Sequence, residues 1–353
     1  KDNAYYQFLH DFDKNDGIER YYVTADDEAT VACLFEKKHL SNVIPFRSTK
    51  HKLLFLKASK ILASYIENPN WMPFKPHVIN GLSDIVDFEL VYLQHGVLHA
   101  HTPWKYAADK LLADKVVVST HYETANFKSI YGYEPDQLIT SGMPRYDHID
   151  LRSAAKHRIL FAPSWRKYLV SEGVDLRFRA KHAAFDASRF WEETRAFLSS
   201  ERLRELLERY DFQIDIKLHP IFKAYEDKFS QLETARIHLV DSADETDYAL
   251  FVTDYSSWVF DFVYQMCPIV YFLPDREEFN AGLNGYHKLD LPLEEGFGPL
   301  TTTAVELLDE LEKFFKSRKP AALHAKRMEN FFLHYDENQC ERLYKALVGV
   351  TTP

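Results

Sequence analysis

Along this chain, short apolar runs keep ending in small polar clusters and are followed by helix-like sequence, and that repetition limits the folds open to it. Leu90-Val91-Tyr92-Leu93 leads into Gln94-His95-Gly96, and Phe212-Gln213-Ile214-Asp215-Ile216 leads into Lys217-Leu218-His219-Pro220. Tyr248-Ala249-Leu250-Phe251-Val252 leads into Thr253-Asp254-Tyr255-Ser256-Ser257. Each run reads as a buried strand. Strands that alternate with helices form parallel sheets, and in open α/β sheets ligands bind beyond the carboxyl ends of the strands. Two histidines and a Ser-Ser pair at three such ends make a candidate site for phosphate chemistry.

The alternation continues through both halves. Strands are expected at 20–23, 60–66, 91–94, 115–119 and 138–140, with helices at 26–38, 49–58 and 121–131. The second half places strands at 158–161, 212–217, 236–240, 248–253 and 268–273, with helices at 187–210, 256–266, 303–316 and 322–347. The 187–210 helix would turn Trp191, Phe197, Leu203 and Leu207 to its apolar side. Residues 67–88, with Pro69, Pro73 and Pro76, read as irregular. A chain of 353 residues favours two domains over one, since domains cluster near ~100–200 residues. A break near 145–157 sets the expected division at 1–150 and 151–353, two Rossmann-like α/β domains with parallel sheets facing a cleft.

Composition removes several function classes. A net charge of −10 argues against a nucleic-acid partner. Cys33, Cys267 and Cys340 lie far apart and are odd in number, which suits neither a zinc site nor a disulfide framework and fits a reducing, cytoplasmic setting. No apolar run approaches the ~18 residues that span a bilayer, and no signal peptide is expected. The chain starts with Lys1 and reads at once as helix, the pattern of a piece of a longer protein. One anomaly stands against the acidic average. Between Lys37 and Ile66 lie seven cations (Lys37, Lys38, Arg47, Lys50, Lys52, Lys57, Lys60) and no acid, in a chain with 53 acids. Such a window suits an anionic lipid or polymer, or else a solvated face balanced by acids elsewhere.

The motifs carry complementary chemistry. Ser256 and Ser257 would fall near a helix N-cap, where free N–H groups and the helix dipole attract anions; serine is also an ordinary capping residue. Pro220 ends a strand and leaves His219 at the sheet rim, where an imidazole can donate to a pyrophosphate or protonate a leaving group. Gly96 permits a sharp turn, and His95 beside it is placed to act as a general base. His99 and His101 follow, and read as solvated loop histidines because the loop lacks the carboxylates and the helical spacing of a zinc site. Arg166, closing Ala162-Pro163-Ser164-Trp165-Arg166, is suited to bidentate phosphate binding. Arg145, closing Ser141-Gly142-Met143-Pro144-Arg145, lies at the expected junction. Either arginine would equally serve as a structural ion pair. No P-loop, complete GxGxxG or GxSxG is present.

Taken together, in order and spacing, these segments resemble the CDP-glycerol glycerophosphotransferase family, the teichoic acid polymerases and primases, over roughly residues 50–315. The resemblance implies a GT-B fold, an N-terminal domain for the acceptor and a C-terminal domain for the donor. It implies transfer of an alditol phosphate, glycerol or ribitol, from a CDP-alditol to a hydroxyl of a teichoic-acid-like or capsule polymer, with release of CMP. The family's two essential histidines match His95 and His219, and its donor-phosphate serines match Ser256 and Ser257. Gly96, Arg145, Ser164, Arg166, Lys217, Thr253 and Asp254 complete the expected substrate-binding set. No metal ligand is assigned and no cofactor is required, though a magnesium ion is compatible with the chemistry. The expected partners are the CDP-alditol, an anionic polymer or lipid-linked acceptor and the inner face of the cell membrane. Two other readings stay open: a GT-B glycosyltransferase using a nucleotide sugar, and a non-catalytic polymer-binding module. In this chain Val97-Leu98-His99-Ala100-His101 separates His95-Gly96 from Thr102-Pro103-Trp104-Lys105, a departure from the family's shorter stretch that bears on the acceptor.

Overall fold

The computed structural model describes every residue except 76, 79, 80, 82–84, 150–155, 172–180, 285, 287 and 350–353. The chain forms two compact units. The first comprises Lys1–Val97, Pro103–Ile149 and Phe332–Pro353; the second comprises Leu98–Thr102 and Asp150–Phe331.

In the first unit, β1 (Tyr22–Thr24) pairs in parallel with β2 (Val43–Pro45). A separate parallel sheet runs β3 (Lys60–Ala63), β4 (Glu89–Tyr92), β5 (Lys115–Val117) and β6 (Leu138–Ile139) in simple sequential order. Val91, Leu93 and Val117 pack with Leu343 from the helix Gln339–Val348. The first helix, Asn3–Phe12, packs Tyr5 and Phe8 against Phe35.

The second unit holds a six-stranded parallel sheet: β7 (Arg158–Phe161), β8 (Gln213–Ile216), β9 (Ile237–Leu239), β10 (Leu250–Thr253), β11 (Ile269–Phe272) and β12 (Leu300–Thr301). Its order is β12-β11-β10-β7-β8-β9. From β7 the chain builds outward through β8 and β9, then crosses back to lay β10 on the other side of β7. The strand order therefore reverses between β7 and β10, the place where ligand crevices open in such sheets. β10 and β11 are buried throughout, as strands covered on both faces must be.

The α/β class with parallel sheets is as the sequence implies, and several boundaries differ for local reasons. The 187–210 helix is two, Arg189–Leu198 and Glu201–Tyr210. Ser200 breaks it by capping the second helix through Leu203 N, while Trp191, Phe197, Leu203 and Leu207 are all buried. The closing helix is also two, Ala322–Glu329 and Gln339–Val348, because Phe331 and Phe332 between them turn into cores of different units. The 26–38 helix shortens to Glu28–Leu34, capped by Asp27. A single boundary at residue 150 does not describe the units: the last helix groups with the first unit, and Leu98–Thr102 with the second. Parts of the 67–88 and 145–157 stretches lie outside the described residues.

Candidate functional site

In the second unit, the rim at the reversal is organised by an arginine with no exposed surface. Arg166 follows β7, and its Nη1 donates to Asp254, beyond β10, at 2.6 Å and to Ser164 O at 2.8 Å. Its Nε and Nη2 donate to both carboxylate oxygens of Asp275, beyond β11, at 2.6 and 2.9 Å. Tyr168 also donates to Asp275, at 2.7 Å. Burial alone would raise the Asp275 pKa, but the Arg166 guanidinium outweighs it and holds the carboxyl below its usual range. The arginine thus ties three strand ends together. Asp254 in turn accepts from Ser164 N (3.0 Å to each oxygen), from the Ser164 hydroxyl and from Tyr255 N at 2.6 Å. Thr253 donates to Ala162 O at 3.1 Å.

This corrects the expected roles of three residues. Arg166, Thr253 and Asp254 are buried and spend their polar atoms on the protein, so they shape the rim. Ser164, Lys217, His219, Ser256 and Ser257 keep solvent exposure. The helix expected to start at Ser256 begins at Val259 with Trp258 as its cap residue. Ser256 Oγ accepts from Trp258 N at 3.2 Å, so the serine pair sits in the turn before a short helix.

His219 is better specified than sequence suggested. Its Nδ1 accepts from Ile221 N at 3.2 Å. A ring nitrogen that accepts carries no proton, so the neutral ring holds its proton on Nε2 and presents a donor there. Burial, with Lys217 nearby, lowers its pKa to about 4, which keeps the ring neutral near pH 7. The Trp165 ring lies 6.2 Å away. Burial also lowers the Lys217 pKa.

In the first unit, His95 stands beyond β4. The left-handed residue of its turn is Gln94, at φ 59°, and not Gly96. A non-glycine there needs support. Gln94 has it: its Nε2 donates to Val117 O at 2.7 Å and to Glu123 Oε1 at 2.9 Å. Asn3 Nδ2 donates to Gln94 O at 2.7 Å, and Arg145 Nη1 donates to His95 O at 2.6 Å. The Tyr65 ring stacks on His95 at 5.1 Å and 16°. His95 is exposed as a residue, yet burial of its ring lowers its pKa from 6.5; Glu67 opposes this and Arg145 and Lys105 add to it. Gly142, in the Ser141–Arg145 motif, has φ +81° and faces Gln339, whose Cγ lies 2.7 Å from where a Cβ would stand. Any side chain there would meet both the strain of the positive φ and the Gln339 side chain.

His99 is not solvated, and His101 is only partly so. His99 is buried, with its pKa lowered by that burial to about 4, and Nε2 lies 3.3 Å from Leu291 O. His101 Nδ1 lies 2.5 Å from Asp290. With the Ala100–Leu289 bridge they fix this stretch within the second unit. Among the described residues, no group of three or more His, Cys, Asp or Glu side chains is arranged to hold a metal.

Sequence reasoning missed Asn3, Gln94, Asp275 and Tyr168. Asp275 carried a signal: it follows the 268–273 strand much as Asp254 follows the strand before it. Asn3 carried none, because nothing local marks a helix residue that reaches strand ends about 90 positions away.

Residues 2–349 match the model of the CDP-glycerol:poly(glycerophosphate) glycerophosphotransferase family. The chain is 27% identical to the minor teichoic acid biosynthesis protein GgaB of Bacillus subtilis, over 98% of this chain and 38% of that protein. It is 28% identical to the teichoic acid poly(glycerol phosphate) polymerase of the same organism, over 57% of this chain and 26% of that one. The chain thus spans well under half the length of these relatives. A solved structure of the wall teichoic acid polymerase TagF shares the fold, with a TM-score of 0.62 at 14% identity, covering 99% of this chain and 85% of that one.

Proposed function

The chain belongs to the CDP-glycerol:poly(glycerophosphate) glycerophosphotransferase family, and we propose on that premise that it transfers an alditol phosphate from a CDP-alditol to an acceptor hydroxyl and releases CMP. In this reading His95 takes the acceptor proton. The acceptor oxygen forms a bond to the phosphorus that bears the alditol, and the bond from that phosphorus to the CMP oxygen breaks, its electron pair leaving with CMP. His219, donating through Nε2, and Lys217, Ser256 and Ser257 offset the charge that builds on the leaving phosphate, while Ser164, whose N–H and hydroxyl both donate to Asp254, holds its loop. Phosphoryl transfer depends mainly on such positioning and electrostatic support. Arg166 and Asp254 act on the donor only through the loops they hold.

The observation that carries this reading is the His219 ring. Its tautomer is fixed by Ile221 N–H and its pKa of about 4 keeps it a neutral donor, at the rim of a sheet whose strand order reverses. The acceptor we propose is a teichoic-acid-like polymer, lipid-linked or free. The basic window offers it, or an anionic membrane surface, a docking face: Lys37, Arg47, Lys50, Lys52 and Lys57 are exposed, and no ion pair joins them to a carboxylate among the described residues. No described helix is long and apolar enough to cross a membrane.

The test is to incubate the protein separately with CDP-glycerol, CDP-ribitol and UDP-sugars, each with candidate acceptors, and to follow nucleotide release. Acceptor-dependent CMP is expected from a CDP-alditol. Release of UDP alone would replace this reading with glycosyl transfer.

A further inference from the structure

We infer that Asn3 is a positioning residue for His95, joined with Arg145 in a clamp that fixes the direction of the His95 turn. The inference rests on His95 acting as the base. Asn3 lies in the first turn of the helix Asn3–Phe12 and is wholly buried. Its side chain makes no bond within its own helix. Nδ2 donates to Gln94 O at 2.7 Å and reaches Leu93 O at 3.5 Å, while Oδ1 accepts from Arg145 N at 3.1 Å. Donor and acceptor face groups of opposite kind, so the amide has one orientation that satisfies both.

The circuit closes through the turn itself. Arg145 Nη1 donates to His95 O at 2.6 Å, so consecutive carbonyls, those of Gln94 and His95, are each held by one member of the pair. Gln94 is in the left-handed region at φ 59°. That conformation costs a non-glycine residue free energy, and it sets the direction in which the His95 side chain leaves the backbone. One residue on, Ala4 N donates to Ser64 Oγ at 3.0 Å, fastening the same helix start to the segment beyond β3. The N-terminal helix is therefore bonded to segments that follow β3, β4 and β6. The hydrogen bonds of Asn3 run to backbone groups, so it acts through the backbone.

Arg145 acquires a second role by this geometry. Its expected contact was with substrate, yet its backbone N–H and one guanidinium nitrogen serve the clamp. A general base misplaced by about 1 Å can lose on the order of a hundredfold in rate. The clamp is the part of this unit that prevents such drift.

The experiment is a double-mutant cycle on the whole chain, with Asn3→Ala, Asn3→Asp and His95→Ala, reading kcat, KM for the donor and the pH–rate profile. Asn3→Asp keeps the acceptor for Arg145 N–H but loses the donor to Gln94 O. Both Asn3 variants should lower kcat by roughly 10–100-fold, with donor KM within about twofold, because the donor motifs lie in the other unit. In the His95→Ala background neither should lower kcat further. An equal further loss in that background would overturn the inference, since Asn3 would then act by another route. Histidine-selective NMR supplies a readout independent of turnover: the His95 ring signal should shift or broaden in Asn3→Asp while His219 stays unchanged. An unchanged His95 signal in a folded variant would also overturn it. If His95→Ala itself keeps parental turnover, the base reading fails instead, and the NMR arm still reports whether Asn3 holds the turn. Thermal unfolding of each variant separates a loss of fold from a loss of position.

Discussion

The two units solve one problem, holding polar side chains at strand ends, by different means. In the second unit the sheet order reverses between β7 and β10, so the topology opens a rim by itself. The loops there are secured by one buried cation between two buried carboxylates. In the first unit the strands follow in sequence order, and no reversal occurs among β3 to β6. Its site turn, with Gln94 left-handed, is held by separate hydrogen bonds from Asn3, Gln94 and Arg145 to backbone carbonyls and to Glu123. A buried ion network is rigid, and loses much if one member is removed. Hydrogen bonds spread over several partners, most of them backbone carbonyls, give way in smaller steps. The second unit should therefore fail as a whole, and the first by losing alignment.

The largest expected effect tests that contrast directly. Arg166→Ala leaves Asp254 and Asp275 buried without their cation, which should cost about 3–5 kcal/mol, a large part of the stability of an ordinary domain. Urea titration followed by tryptophan fluorescence should show a lower midpoint for the second unit, with the first less affected. A midpoint within error of the parent would mean that the network does not hold the rim.

His95→Ala comes next, with an effect on rate and little on fold, since the side chain is exposed. Losing a general base costs ~10²–10⁴-fold. Because the His95 pKa is lowered from 6.5, the parent rate should fall only as pH drops below that value, and the acid limb should vanish in the variant. An identical limb in both would assign it to another group.

Acid should also weaken the second unit measurably. His99 and His219 have folded pKa values lowered to about 4 from 6.5. The unfolded chain then binds protons first as pH falls, so their contribution is complete above 6.5 and is lost progressively toward 4. Melting temperature plotted against pH should drop less steeply over that interval for a His99→Gln, His219→Gln double variant. Parallel curves would show that these rings are not what couples stability to pH.

The smallest effect concerns the first unit's surface. Charge reversal at Lys50, Lys52 and Lys57 should weaken binding to polyanionic acceptor or anionic vesicles, most visibly at low salt, with donor affinity unchanged. If the triple variant binds both like the parent, the face is merely solvated.

The pattern of apolar runs was enough to determine the α/β class, most strand positions and the location of His95, His219 and Ser256–Ser257 at strand ends. Such patterns are local: strand period, helix period and breakers act over a few neighbouring residues. Local pattern did not determine which helices would break. Ser199-Ser200 and the Phe331-Phe332 pair look like continuous helix until capping and burial in separate cores interrupt them. The roles of the arginines also lay beyond it. Arg166 and a phosphate-binding arginine look alike in sequence, and what separates them is the arrival of Asp254 and Asp275 from strands about 90 and 110 residues later. His99, expected in solvent, is buried because β-bridging to Leu289 brings its loop into the second unit. Asn3 serves a turn that sequence assigned to Gly96. In each case the deciding contact is long-range, and chain topology alone brings its two sides together.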